Sequence, residues 1–270
     1  MGSVAGGWHT WPMLRSDDHG RVRVLTFDRP EVKNAFDTAM YDTTARALAE
    51  ADEDPNVAVV VLTGSEGAFC AGQDLSEMAA LVGDDADGED GAGHGFPRFM
   101  DALTAFSKPM IAAVNGVGVG LGFTIVGHCD LVLVSDEARF KTPFTSLGVA
   151  PEAASSYLFP LLAGWQDAAH ILLTSRWVSA VEAVEVGLAW RLCPAEDLMS
   201  DTMAVAGEIA AMPVASLVAT KRVMKAARSD EVAAARRRED AEFSALVGAP
   251  ANTEALTAFI EKRDPDFTGM

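Results

Sequence analysis

The sequence predicts an α/β chain in which parallel βα units come first and a helical tail comes last. Three observations carry this. Residues 57–62, Val-Ala-Val-Val-Val-Leu, are uniformly apolar and rich in β-branched side chains, as in a strand covered on both faces. Residues 22–27 alternate as a strand, and a helical pattern over 38–52 separates the two. Strand, helix, strand is the order of a parallel sheet with right-handed crossovers. From about Ala195 onward the pattern is almost wholly helical, in four segments broken near Met212-Pro213, Ser229 and Gly248-Ala-Pro250.

Composition bounds the function. The chain has 270 residues, 49% of them hydrophobic, which suits one domain or a domain with a small appendage. No apolar run approaches a membrane span, and the first residues lack the charged start and apolar core of a signal peptide. A formal charge of −18 argues against nucleic acid and anionic membranes as partners, so an anionic ligand needs a local cluster of cations. Cys70, Cys129 and Cys193 are widely spaced, with no Cys-x-x-Cys, which predicts reduced thiols and a cytoplasmic protein. Cys70 has no His or Asp near it in a recognisable arrangement and reads as core filling.

The elements follow in order. Asp28-Arg-Pro-Glu-Val-Lys-Asn34 is a turn with two cations, Arg29 and Lys33. Asp37 caps the first helix, which places Met40, Thr44, Ala47, Leu48 and Ala51 on one face. Asp54-Pro-Asn56 ends it. After the buried strand comes a glycine-rich turn, Thr63 to Leu75. Residues 83–95 are acidic and glycine-rich, a surface loop whose carboxylates do not match a calcium-loop spacing. No metal constellation is expected. A helical pattern runs from Pro97 to Phe106. Residues 110–114 form a buried strand that enters Asn115-Gly116, and glycines recur at 116, 118, 120 and 122. Strand, glycine turn and helix start together expose backbone N–H groups. No three of these glycines give G-x-G-x-x-G, and Gly-Lys-Ser/Thr is absent, so neither a dinucleotide fold nor a P-loop is indicated. Residues 131–134 are a strand and 140–151 irregular; 156–163 and 165–173 are helices. Ser179-Ala-Val-Glu182 is a capping box opening a helix that Gly187 ends. His128, at a helix end, reads as structural.

Three stretches stand in an order that resembles the crotonase (enoyl-CoA hydratase/isomerase) superfamily. They are Gly67-Ala-Phe-Cys-Ala-Gly-Gln-Asp-Leu75, Lys108-Pro…Asn115-Gly…Leu121-Gly, and Phe140-x-x-Pro143…Leu147-Gly148. The similarity extends to Asp28-Arg-Pro…Asn34-Ala35, to Gly187-Leu188 and to Phe259-Ile-Glu-Lys-Arg263, so it covers nearly everything past residue 20. The resemblance implies a spiral of ββα turns giving two roughly perpendicular sheets, with a C-terminal helical region that builds trimers, often paired into hexamers. On that basis 1–19 is a flexible tail, 20–195 the acyl-CoA-binding spiral core and 196–270 the helical trimerisation region. The implied substrate is an acyl-coenzyme A, with no further cofactor. By motif match, the backbone N–H groups of Gln73 and Leu121 hold the thioester oxygen. The coenzyme runs along Ala35, Ala68, Ala71, Asp74 and Leu75, with Arg29, Lys33 and Lys262 as phosphate partners; for each cation the alternative is ordinary surface charge. The expected acyl lining is Met78, Phe96, Phe123, Thr124, Phe144 and Tyr157.

Family hydratases use two glutamates, and the matching positions here are Thr124 and Phe144, which argues against efficient water addition. A carboxylate stands elsewhere. The block Thr142-Pro-Phe…Leu-Gly…Pro-Glu152…Ser-Ser-Tyr…Phe-Pro160 looks like the peroxisomal-type Δ3,Δ2-enoyl-CoA isomerases, which place a single catalytic glutamate at the position of Glu152. A single base suits a 1,3 proton shift. Dehalogenase-like relatives need a histidine where this chain has Thr145. The expected activity is therefore an enoyl-CoA isomerase. The alternatives are a hydratase-type or other acyl-CoA lyase or hydrolase activity, or a non-catalytic acyl-CoA-binding scaffold.

Overall fold

The computed structural model describes residues 9–11, 13–74, 77 and 95–270. Leu75, Met78 and the acidic stretch 83–94 lie outside the described residues.

Among the described residues two sheets share the strands. The larger has seven, in the order β1 (His9–Trp11), β2 (Leu14–His19), β3 (Val22–Phe27), β4 (Val59–Gly64), β6 (Met110–Val114), β8 (Leu131–Ser135) and β11 (Arg191–Cys193). From β3 to β11 all pairs are parallel. The smaller has the order β10 (Trp177–Ser179), β9 (Arg139–Lys141), β7 (Val117–Val119) and β5 (Ala68–Cys70). Three successive pairs, β4–β5, β6–β7 and β8–β9, give their first strand to the large sheet and their second to the small one. That repetition is the spiral.

The predicted strand at 57–62 starts two residues later, at Val59, and is buried on both faces as its composition requires. Val60 and Leu62 point into the main core, and Val59 and Val61 into a second core on the other face. The main core lies beneath α1 (Thr38–Glu53) and α2 (Gly95–Ala105). Asp37 caps α1 by accepting from Met40 N at 2.8 Å. Lys108 closes the other end: its buried ammonium donates to the carbonyls of Ala51 and Asp54 at 2.7 and 2.6 Å.

The N-terminal tail needs correction. Residues 14–19 pair antiparallel with β3, from Leu14 against Phe27 to His19 against Val22. Leu-Arg-Ser-Asp-Asp-His, part of the expected flexible tail, makes a strand because alternate residues, Leu14 and Ser16, face inward. The short strands β5, β7, β9, β10 and β11 were also not foreseen. The capping box holds by half: Ser179 Oγ accepts from Glu182 N, while the Glu182 carboxylate is held by Arg176.

After α3 (Leu121–Thr124), α4 (Ser155–Ala163), α5 (Trp165–Thr174) and α6 (Ala180–Glu185) come the four helices of the tail. They are α7 (Leu198–Ala210), α8 (Val214–Ala226), α9 (Ser229–Leu246) and α10 (Pro250–Glu261), with breaks where the sequence put them. α7 covers the second core with Leu198, Ala206 and Ala210. α9 packs on α4, and α10 on the turn Thr145–Leu147. No single described helix is long and apolar enough to cross a membrane; α7 and α8 together would be, but they meet at a bend of 102°.

Candidate active site

A cavity of about 480 Å³ opens between the two glycine-rich turns and the tail. Its lining includes Gly72, Gln73, Gly120 and Leu121 from the turns, Phe144, Leu147, Val149 and Glu152 from the segment before α4, and Phe243, Phe259, Arg263, Asp264 and Pro265 from the tail.

Gln73 and Leu121, whose backbone amides the motifs singled out, both line this cavity. β5 and β7 pair in parallel, Cys70 opposite Gly118, so the turns that follow them emerge side by side. Gly72 and Gly120, each just before a predicted donor, touch: a Cβ on Gly72 would lie 2.7 Å from the Val119 carbonyl oxygen and 3.8 Å from Gly120 Cα. Both have positive φ, +90° and +52°, so glycine is required for conformation as well as space. The bridge between Phe36 and Gln73 uses Phe36 N to Gly72 O and Asp74 N to Phe36 O, which leaves the Gln73 N–H without an acceptor among the described residues. Leu121 opens α3, where no preceding turn offers its N–H an acceptor. Two free, preorganised amides on adjoining turns can hold an oxyanion.

Glu152 stands on a strained bend. Ala153 and Ala154 are both left-handed, at φ 57°, before α4 begins. The bend is held from three sides. Glu239 on α9 accepts from Ala154 N and Ser156 N at 2.6 and 2.8 Å. His128 Nε2 lies 2.7 Å from the Ala153 carbonyl and donates to it as the Nε2–H tautomer. Ser155 Oγ donates to the Glu152 carbonyl. Burial pushes the Glu152 carboxyl up to about 8, and the nearby Glu239 and Asp240 charges add to this. Thr124 Oγ1 donates to Glu152 Oε1 at 2.7 Å and opposes the rise. Oε2 has no partner among the described residues and is left for a substrate. Burial drops His128 to about 4, so it stays neutral. It also raises the Cys70 thiol to about 12, which leaves Cys70 inert as core filling.

Of the predicted site residues, the cavity brings together Gln73, Ala71, Leu121, Phe144 and Glu152. Four residues of the expected acyl lining sit elsewhere. Phe123 is fully buried, stacked on Phe140 at 4.5 Å and tilted on Phe159 at 4.8 Å, a core residue. Tyr157 packs in a separate cluster with Leu158 and Val232. Phe96 lies behind Tyr41, ring centroids 5.7 Å apart. Thr124 is fully buried and meets the carboxylate rather than the space beyond it. Arg29 is committed to its own turn: it donates to the Ala35 carbonyl at 2.7 Å and pairs with Asp37 and Asp74 at 3.3 and 3.1 Å. A phosphate would have to displace those carboxylates, so the structure argues against Arg29 as a phosphate partner. Lys33 and Lys262 are exposed, and Ala35 and Ala68 are buried and do not belong to the cavity lining. Asp74 is held by Arg29 beside the Gln73 turn. Tyr41 and Glu239, which the sequence did not single out, turn out to belong to the site.

The chain matches the Enoyl-CoA hydratase/isomerase family over residues 17–270. It is 34% identical to a probable enoyl-CoA hydratase of Mycobacterium leprae, over 93% of this chain and 96% of that one. It is 31% identical to the 1,2-epoxyphenylacetyl-CoA isomerase of Escherichia coli, over 92% and 95%. Among solved structures, an enoyl-CoA hydratase/isomerase from Pseudoalteromonas atlantica superposes with a TM-score of 0.88 at 33% identity, over 95% of this chain and all of that one. Paired amides on adjoining turns, a spiral of split strand pairs and these full-length likenesses agree: the chain belongs to the enoyl-CoA hydratase/isomerase (crotonase) family.

Proposed function

We propose that this chain is an enoyl-CoA isomerase that converts a 3-enoyl-CoA to the 2-trans-enoyl thioester, with Glu152 as its single base. The observation that carries the reading is Glu152 itself: a carboxyl raised to about 8, with one oxygen free, in a cavity where no second buried acid faces it among the described residues. The other carboxylate of the lining, Asp264, is exposed beside Arg263.

In this mechanism Glu152 Oε2 takes the proton from C2. The electrons of that C–H bond spread over the thioester and the C3–C4 double bond, giving a dienolate. Its oxygen is held by the Gln73 and Leu121 amides; losing one such donor costs roughly 3 kcal/mol of transition-state stabilisation. The same carboxyl returns the proton to C4, and the double bond comes to rest between C2 and C3. An acid near neutrality both accepts and gives a proton readily. Thr124 holds Oε1 and keeps Oε2 turned to the substrate. The coenzyme is proposed to run along Ala35, Ala68, Ala71, Asp74 and Leu75, with Lys33 and Lys262 as phosphate partners. We further infer a trimer built through the C-terminal helices, working in the cytoplasm; three free, buried cysteines are in keeping with that compartment.

Water addition is the second reading, favoured by the names of relatives such as the 2,3-dehydroadipyl-CoA hydratase of Escherichia coli, 30% identical over 92% of this chain. It would need a second acid where Thr124 is buried and Phe144 is apolar. One assay separates the readings: 3-enoyl-CoA and 2-enoyl-CoA are offered to wild type and to Glu152→Gln. Isomerisation that falls at least a thousandfold in the variant supports the proposal. Conversion of the 2-enoyl thioester to a 3-hydroxy product, unchanged in the variant, would sink it; turnover of neither substrate would indicate a binding protein.

A further inference from the structure

Tyr41 sits one turn into α1 and is 3% exposed. Its ring packs against Phe36, Phe96 and Phe99, with centroids 5.1, 5.7 and 5.8 Å away. The three neighbours supply aromatic packing with no polar atom. Tyr41 alone adds a hydroxyl, and it lines the same cavity as Glu152, Gln73 and Leu121.

That hydroxyl makes no hydrogen bond to any described residue. The hydroxyl is not sealed in the core with its ring: it opens into the cavity, where it can donate to a bound molecule, and phenylalanine would pack the cluster equally well but offer no such donor. Burial, with the nearby Glu152 carboxylate, raises the phenol well above its ordinary value, so it stays protonated and acts as a donor. The other hydroxyl of the lining, on Ser146, is already committed to the Pro143 carbonyl at 2.8 Å. The thioester oxygen has its two amides, and the reacting carbons have Glu152. What remains for Tyr41 is an acceptor further along the acyl group. Phe144, Leu147, Val149 and Phe259 offer no hydroxyl to such an acceptor.

We propose that the Tyr41 hydroxyl recognises an oxygen carried by the acyl chain beyond the thioester, a hydroxyl, oxo or ether oxygen, so that this site selects oxygenated acyl thioesters over plain hydrocarbon ones. The proposal rests on acyl-CoA binding in this cavity, not on the isomerase reaction, and its test needs no turnover. Calorimetry measures binding of hexanoyl-CoA and of its 3-, 4- and 5-hydroxy derivatives to wild type and to Tyr41→Phe. Wild type is expected to bind one hydroxylated thioester about 5- to 10-fold more tightly than hexanoyl-CoA, the worth of one neutral hydrogen bond. Tyr41→Phe should abolish that preference and keep hexanoyl-CoA affinity within about twofold, which also reports that the variant folds. A wild type with no preference, a preference that survives in Tyr41→Phe, or an equal loss for all four ligands overturns the proposal. Failure of wild type to bind hexanoyl-CoA at all overturns it together with the acyl-CoA reading.

Discussion

Glu152 and Thr124 divide one task at the scale of single residues. The carboxyl lies near 8 because burial outweighs the Thr124 hydrogen bond. A base must be deprotonated to act, so kcat/KM for isomerisation should rise roughly tenfold per pH unit below 8 and level off above it. Thr124→Val removes the bond that favours the carboxylate, so the midpoint should move to higher pH; a midpoint that stays in place would show that Thr124 does not set this acid. Glu152, Gln73 and Leu121 were legible because each lies in a short motif with a fixed neighbourhood. Tyr41 and Glu239 were not. On their helices a tyrosine reads as core and a glutamate as a solvated face, and only the tertiary contacts to α4 and the cavity say otherwise.

The bend carrying Glu152 owes its shape to an element far along the chain. Two consecutive left-handed alanines are costly on their own, and the carboxylate of Glu239 on α9 satisfies the two amides that this geometry leaves open at the start of α4. Glu239→Ala should therefore lower stability by about 1.5–3 kcal/mol in urea unfolding, the range for hydrogen bonds to a charged group. It should also reduce turnover by loosening Glu152. A loss below about 0.5 kcal/mol, the level of an ordinary surface change, would mean the bend holds itself. The long, periodic or doubly buried elements, α1, β4 and β6, were readable from residue type alone. The three-residue strands were not: β7 is Val-Gly-Val with a glycine as its buried residue, too short to show a period, and its pairing with β5 and β9 is a property of the neighbouring turns.

The whole molecule leaves apolar side chains uncovered on the helical side. Trp165 is 75% exposed, Leu173 and Val223 71%, and Met224 67%. Scattered apolar exposure is ordinary, but these large side chains belong to two helices, α5 and α8. The trimer inferred above would cover them. Sedimentation at micromolar concentration should accordingly give a species of three times the 28.5 kDa chain mass; a monomer at that concentration would remove the assembly from the proposal. The split of strands between two sheets was invisible in the pattern of apolar residues and came only from likeness to a family, because each strand's choice of sheet depends on partners distant in sequence.

Phe243, Phe259, Arg263, Asp264 and Pro265 form one wall of the cavity, while the amides and Glu152 stand on the first 152 residues. The order matters during synthesis. A chain emerging from the ribosome has its amides and its base encoded long before it has anything to shut water out of them. The wall that closes the cavity comes from residues well after Glu152, so a growing chain carries the amides and the carboxyl before the wall that encloses them can form.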